Sequence, residues 1–159
     1  MKNVLVIVSL LITNMGFGQN ISENKVKFYL DSFLRGYLTK DISVDTTLSK
    51  AAKLQSDYIL KNKELTHYQK DPNFRTPRTR VFKVNPNFWS YGFIRETAIM
   101  GSISHFYDGF KNIEEYIAFR TLNAFKNSPD HNEILLMGSV FGYGVSINNN
   151  GFSIVIDLI

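Results

Sequence analysis

Few side chains here can do chemistry: the chain has three histidines, no cysteine and 14 acidic residues among 159. Without thiols there is no thiolate nucleophile and no cysteine-containing zinc site. Metal binding would fall to imidazole and carboxylate, which are ordinary ligands for zinc and similar divalent ions. The histidines stand far apart, at His67, His105 and His131, and no H-E-x-x-H helix gathers them. His131-Asn132-Glu133 has the H-x-E form of the nucleoside deaminases, but the cysteine ligands that complete that site are missing. Ser128 lies three residues before His131 without the G-x-S-x-G elbow of a nucleophile. With Pro129 it reads as the start of a turn or helix, where proline's missing amide costs nothing. Arg75, Arg78 and Arg80 form the densest basic patch, suited to packing or to a carboxylate contact. Neither a basic stripe nor a groove-entering helix extends it into a nucleic-acid surface. His105, in Ser-Ile-Ser-His-Phe-Tyr, reads as a loop residue.

The elements that must position these groups are legible from periodicity. Val26, Tyr29, Leu30, Phe33 and Tyr37 recur at helical spacing, which predicts an amphipathic helix over 23–38. Asp45, Thr46 and Thr47 offer caps ahead of Leu48, Ala51, Ala52, Gln55 and Ile59, a second helix ending near Asn62. From Tyr68 to Tyr91 the chain has no clean period and reads mostly as loop, with a short strand near Arg80 to Val84. Asn112 followed by Glu115 has the form of an N-cap with its capping-box acid, opening a third helix through Phe125 and leaving Glu114 solvated. Phe141 to Ile147 and Phe152 to Leu158 alternate with period two, and Asn148 to Gly151 between them is a hairpin turn. Helices first and an antiparallel hairpin last point to an α+β domain.

The stretch from Asn123 to Val145 carries a more specific signal. It resembles the C-terminal signature of bacterial CAP (SCP/PR-1-like) domains, W-x-x-S-P-x-H-x-x-x-L followed by G-x-G. Ser128, Pro129, His131, Leu135 (or Leu136), Gly142 and Gly144 match, and Phe125 stands where the family usually has Trp. Leu48 to His67 resembles a second family signature, a helix with an Ala-Ala pair followed by a histidine. Taken alone, a histidine just past a helix end is most often a surface or capping residue. Where the family carries Gly-Glu-Asn-Ile-Ala, this chain reads Arg95-Glu96-Thr97-Ala98-Ile99, so only the Glu is kept.

The resemblance covers about residues 24–159. It implies an α-β-α sandwich with a small antiparallel sheet between helices, and a cleft flanked by His67, Glu96 and His131. Those three residues are the implied ligand-binding set and the implied ligands of a divalent metal such as zinc. Arg78 or Arg80 is the counterpart of an Arg that members often carry in the preceding loop. The function implied is that of an exported, non-enzymatic binding module for a small lipid-like ligand or a metal. The alternative is a metal-dependent hydrolase or peptidase using the same cleft.

At the N-terminus, Lys2, the apolar run Val4 to Ile12 and small residues at Gly16 and Gly18 describe a secretory signal peptide over 1–18, with a single domain over 19–159. Thr13-Asn14 interrupts the run well short of the roughly 20 apolar residues a spanning helix needs. Secretion or a periplasmic location follows as an expectation, with no stable membrane anchor and no nucleic-acid partner, and a small lipid or envelope component as the expected contact. A net charge of +4 without long like-charge blocks describes a mildly basic surface. Small exported domains often rely on disulfides. This one must hold by packing, and its 14% aromatic content supplies the rings for it.

Overall fold

A computed structural model of the protein describes residues 20–88, 93–103 and 109–159. The expected leader over 1–18 and His105 lie outside these.

Ser22 starts the first helix by accepting the Lys25 amide, and α1 (Glu23–Leu38) buries Val26, Leu30, Leu34 and Leu38 along one stripe. The helix stops at Thr39, whose φ of 51° is left-handed. A two-residue strand, β1 (Ser43–Val44), leads to Asp45, which caps α2 (Thr46–Asn62) by accepting the Leu48 amide at 2.8 Å. Both helices lie where the apolar spacing places them.

The next region departs from the sequence reading. Instead of loop and a short strand near Arg80, it holds a single 3-10 turn (Pro72–Phe74) and then α3 (Pro77–Val84). Thr76 caps α3 and Thr79 reciprocates, with Pro77 in the first helical turn. The box was missed because Thr79 stands where glutamate or glutamine usually signals it. A further strand, β2 (Arg95–Ser102), was not anticipated from its weakly alternating sequence.

Asn112 opens α4 (Ile113–Lys126) as expected, accepting the Glu115 amide at 2.8 Å. Glu115 reaches one residue further back than the standard box and accepts the Lys111 amide at 2.6 Å. Glu114 is buried rather than solvated, because its carboxylate accepts the Ser22 amide at 3.1 Å at the start of α1. Ser128-Pro129 opens α5 (Pro129–Met137), so the apolar run after His131 is helical. The chain ends in β3 (Val140–Asn148) and β4 (Gly151–Leu158), paired antiparallel from Asn148↔Gly151 to Phe141↔Leu158.

The sheet order is β1-β3-β4-β2, with β2 antiparallel to β4 along all its eight residues. β1 runs parallel to β3, so the sheet is mixed rather than wholly antiparallel. The fold is α+β, a small sheet flanked by helices. Phe152, Ile154, Ile156 and Leu158 of β4 join the main core with α1, α4 and α5. Val155 packs on the other face with Ala52 and Ile59 of α2 and Ala98 of β2. Because both faces of β4 are covered, all eight of its residues are buried. Gly142 and Gly144 have a packing role: a Cβ at Gly144 would lie 2.1 Å from the Ala52 carbonyl carbon, and one at Gly142 would lie 2.3 Å from that of Leu48. The backbone of α2 therefore rests directly on β3.

Candidate functional site

The loop that follows α2 is pinned from both sides. Gln55, fully buried in α2, donates to the Thr66 carbonyl and accepts from Gln69 at 3.0 Å, while Gln69 also donates to the Leu54 carbonyl at 3.2 Å. From α3, Arg80 donates to the carbonyls of His67 and Phe74, at 3.3 and 3.1 Å. These bonds hold His67 over the start of β2, where its Nδ1 meets Glu96 Oε1 at 2.8 Å.

Glu96 is the hub. Its side chain is 2% exposed, and its second oxygen accepts from the guanidinium of the fully buried Arg80. Arg95 is exposed, and it is Arg80 from α3 that pairs with Glu96. An ion-paired carboxylate beside Nδ1 fixes the proton there and leaves Nε2 of His67, on a side chain 44% exposed, as an outward lone pair.

Asp157 lies beneath this pair as the cross-strand partner of Glu96. It is fully buried, and neither carboxyl oxygen has a hydrogen-bond partner among the described residues. Burial, and then the adjacent Glu96 charge, push its pKa well above the ordinary carboxyl range, against the opposing pull of Arg80. Burial therefore favours the neutral form of Asp157. A carboxyl protonated in the fold but ionised in the unfolded chain contributes its full stability below the unfolded value of about 3.9, and loses it as pH climbs toward the folded value. Asp157→Asn keeps the shape and cannot ionise. It should gain on the wild type as pH rises from about 4 to 7, reaching a melting temperature about 3–8 °C higher. Thermal scans at pH 4, 5.5 and 7 read this directly; a difference that does not change with pH would mean that Asp157 ionises normally.

His131 comes from α5, near the helix start set by Pro129. Its ring stands edge-on to Phe125, with centroids 5.4 Å apart and planes at 73°. The neighbouring Asn132 accepts from the Tyr37 hydroxyl at 2.6 Å, which ties α5 to α1. Desolvation lowers the His131 pKa from 6.5, the charge of His67 lowers it further, and Asp130 opposes both. The two imidazoles are thus within electrostatic reach although they lie on different elements, and His131 favours its neutral form.

The structure joins His67 to Glu96 by a hydrogen bond, whereas His131 feels His67 only through its charge, with no hydrogen bond to His67 or Glu96 among the described residues. Arg78 does not share this role, because its guanidinium lies over the Phe82 ring, 5.4 Å from the centroid. The residue missed from the sequence is Asp157, whose signal was a lone acid in the apolar run Phe152 to Ile159. Among the described residues, no group of three His, Asp or Glu side chains stands in metal-holding geometry, and no helix is long and apolar enough to cross a membrane.

No protein-family model matches the chain, and no curated protein is similar enough to count as a relative. Solved structures do share its fold. An outer surface protein from Borrelia burgdorferi superposes with a TM-score of 0.59 at 24% identity, covering 87% of this chain and 94% of that one. An extracellular protein containing an SCP domain from Bacillus anthracis superposes with a TM-score of 0.52 at 15% identity, covering 86% of this chain and 41% of that one. The likeness is one of fold.

Proposed function

We propose that this protein is an exported binding module of the CAP type, whose recognition site is the imidazole pair of His67 and His131. The observation that carries this reading is the chain Arg80–Glu96–His67, in which a buried ion pair engages Nδ1 of a half-exposed imidazole and leaves its other nitrogen uncommitted. Carboxylate-backed histidine of this kind is how proteins present a neutral nitrogen to a metal. Two neutral imidazoles would supply part of the ligand shell of a divalent ion such as zinc, with no third His, Asp or Glu joining them among the described residues. Glu96, with both oxygens engaged, serves as the group behind His67 rather than as an open ligand. A small lipid-like molecule is the other occupant considered for the cleft.

Export rests on the charged, apolar and small-residue pattern of residues 1–18. The surface and extracellular settings of the two structural neighbours support it. A metal-dependent hydrolase using the same cleft would need a positioned base with a free oxygen. The engagement of Glu96 favours binding over hydrolysis.

Native mass spectrometry of protein purified from its own cell envelope tests the reading. The mature mass should lack residues 1–18, and a retained divalent metal or small lipid should add to it. Material that keeps Met1 to Gly18 in the soluble pool would remove the case for export. A bare mature mass that takes up neither zinc nor lipid on addition would remove the case for the site.

A further inference from the structure

We propose that the cavity between α1, α2 and the end of α3 is a second binding site, for a small organic anion with a phosphate or carboxylate head on an apolar body. The cavity has a volume of about 360 Å³ and is lined by Lys27, Ser49, Lys50, Lys53, Leu54 and Val84. That volume is within the range of small-molecule sites. Neither His67 nor His131 lines it.

Three of its six lining residues are lysines, and their neutralisation is uneven. Lys53 is satisfied: its ammonium contacts Glu23 at 3.1 Å, Asp57 at 2.7 Å and the Ser146 hydroxyl at 3.1 Å. Both nearby acids are thereby spent on one lysine. Lys27 and Lys50 have no ion-pair partner among the described residues. Lys27 is half-buried, and desolvation lowers its pKa; Lys53 adds to that, while Glu23 and Asp57 act against it. A partly desolvated ammonium and a second one without an ion-pair partner, on residues that line the same cavity, make a place where an anion replaces lost hydration.

The hydroxyl of Ser49 is already committed, donating to the Asp45 carbonyl and accepting the Tyr143 amide. Recognition therefore falls to the two ammonium groups. Leu54 and Val84, with the methylene stems of the lysines, offer the rest of the ligand an apolar wall. Lys50, Lys53 and Leu54 lie on one face of α2 by their i, i+3 and i+4 spacing.

Calorimetric titration of the purified protein with hexyl phosphate, inorganic phosphate and hexyltrimethylammonium tests the proposal, using wild type and Lys27→Met/Lys50→Met. Methionine keeps the apolar stems and removes the charges. Hexyl phosphate should bind the wild type at least about tenfold more tightly than the double variant, the equivalent of one lost charge-assisted contact. Hexyltrimethylammonium should not bind. Equal affinity for wild type and variant, or binding of the cation, would overturn the site. Inorganic phosphate binding as tightly as hexyl phosphate would overturn the apolar half of the ligand and leave a free-anion site. Should the double variant fold poorly, Lys50→Glu alone, at an exposed helical position, should abolish hexyl phosphate binding, and retained binding would overturn the proposal. His131→Ala should leave all these titrations unchanged, so this site and the imidazole cleft stand or fall separately.

Discussion

Arg80→Met should destabilise the fold by about 3–5 kcal/mol, the usual cost of removing one partner from a buried ion pair. Arg80 is fully buried, and its loss leaves the Glu96 carboxylate without a cation, against the acid of Asp157. The carbonyls of His67 and Phe74 lose their donor in the same step, so the loop carrying His67 is loosened as well. Arg80→Met/Glu96→Gln should recover part of the loss, because no uncompensated charge is then left inside. Urea unfolding of the two single variants and the double variant measures the coupling. If Arg80→Met costs less than about 0.5 kcal/mol, the size of an ordinary surface substitution, Arg80 does not organise the site.

Gly144→Ala should cost about 3 kcal/mol, at the upper end of overpacking effects. The added Cβ would sit 2.1 Å from the carbonyl carbon of Ala52 and 2.2 Å from its oxygen, and both are backbone atoms that cannot rotate away. Relief requires α2 to lift off β3, which also pulls on the Ser49–Tyr143 bond. Gly36→Ala, at an exposed position of α1 with no atom within 4 Å of the new Cβ, should instead stabilise by about 0.5–1 kcal/mol. Melting curves of the two variants should move in opposite directions. A Gly144→Ala protein as stable as the wild type would mean that helix and strand are not in direct contact.

Much of this was legible from sequence where one physical signal acts alone. Val26 to Leu38 and Leu48 to Ile59 fold as their apolar spacing dictates, and the Asn148–Gly151 turn sets the register of the final hairpin. The α3 helix was not legible because its start rests on a threonine pair, Thr76 and Thr79, and its largest buried side chain is an arginine. Strand β2 was hidden for a related reason. Glu96 and Thr97 are polar yet buried, since their burial depends on Arg80 and on pairing with β4, both remote in sequence. The site shows the same division. The resemblance pointed to His67, Glu96 and His131 but could say nothing of Asp157, which only the register of β4 against β2 places beside Glu96. Glu114 was misjudged because its partner, the Ser22 amide, lies 92 residues away.

The proposed site depends on two neutral imidazoles acting together, and zinc titration calorimetry of wild type, His67→Ala and His131→Ala at pH 7.5 and 5.5 tests that most directly. Binding should be measurable for the wild type at pH 7.5. It should weaken at least about tenfold at pH 5.5, below the ordinary histidine value near 6.5, because a protonated imidazole has no lone pair to give. The lowered pKa of His131 keeps that ring available below the ordinary value, so the fall should lag a simple titration at 6.5. Each alanine variant should lose at least about tenfold at pH 7.5, and neither loss should come with a change in fold. Equal zinc affinity for the wild type and both variants, or an affinity unchanged between the two pH values, would contradict the account.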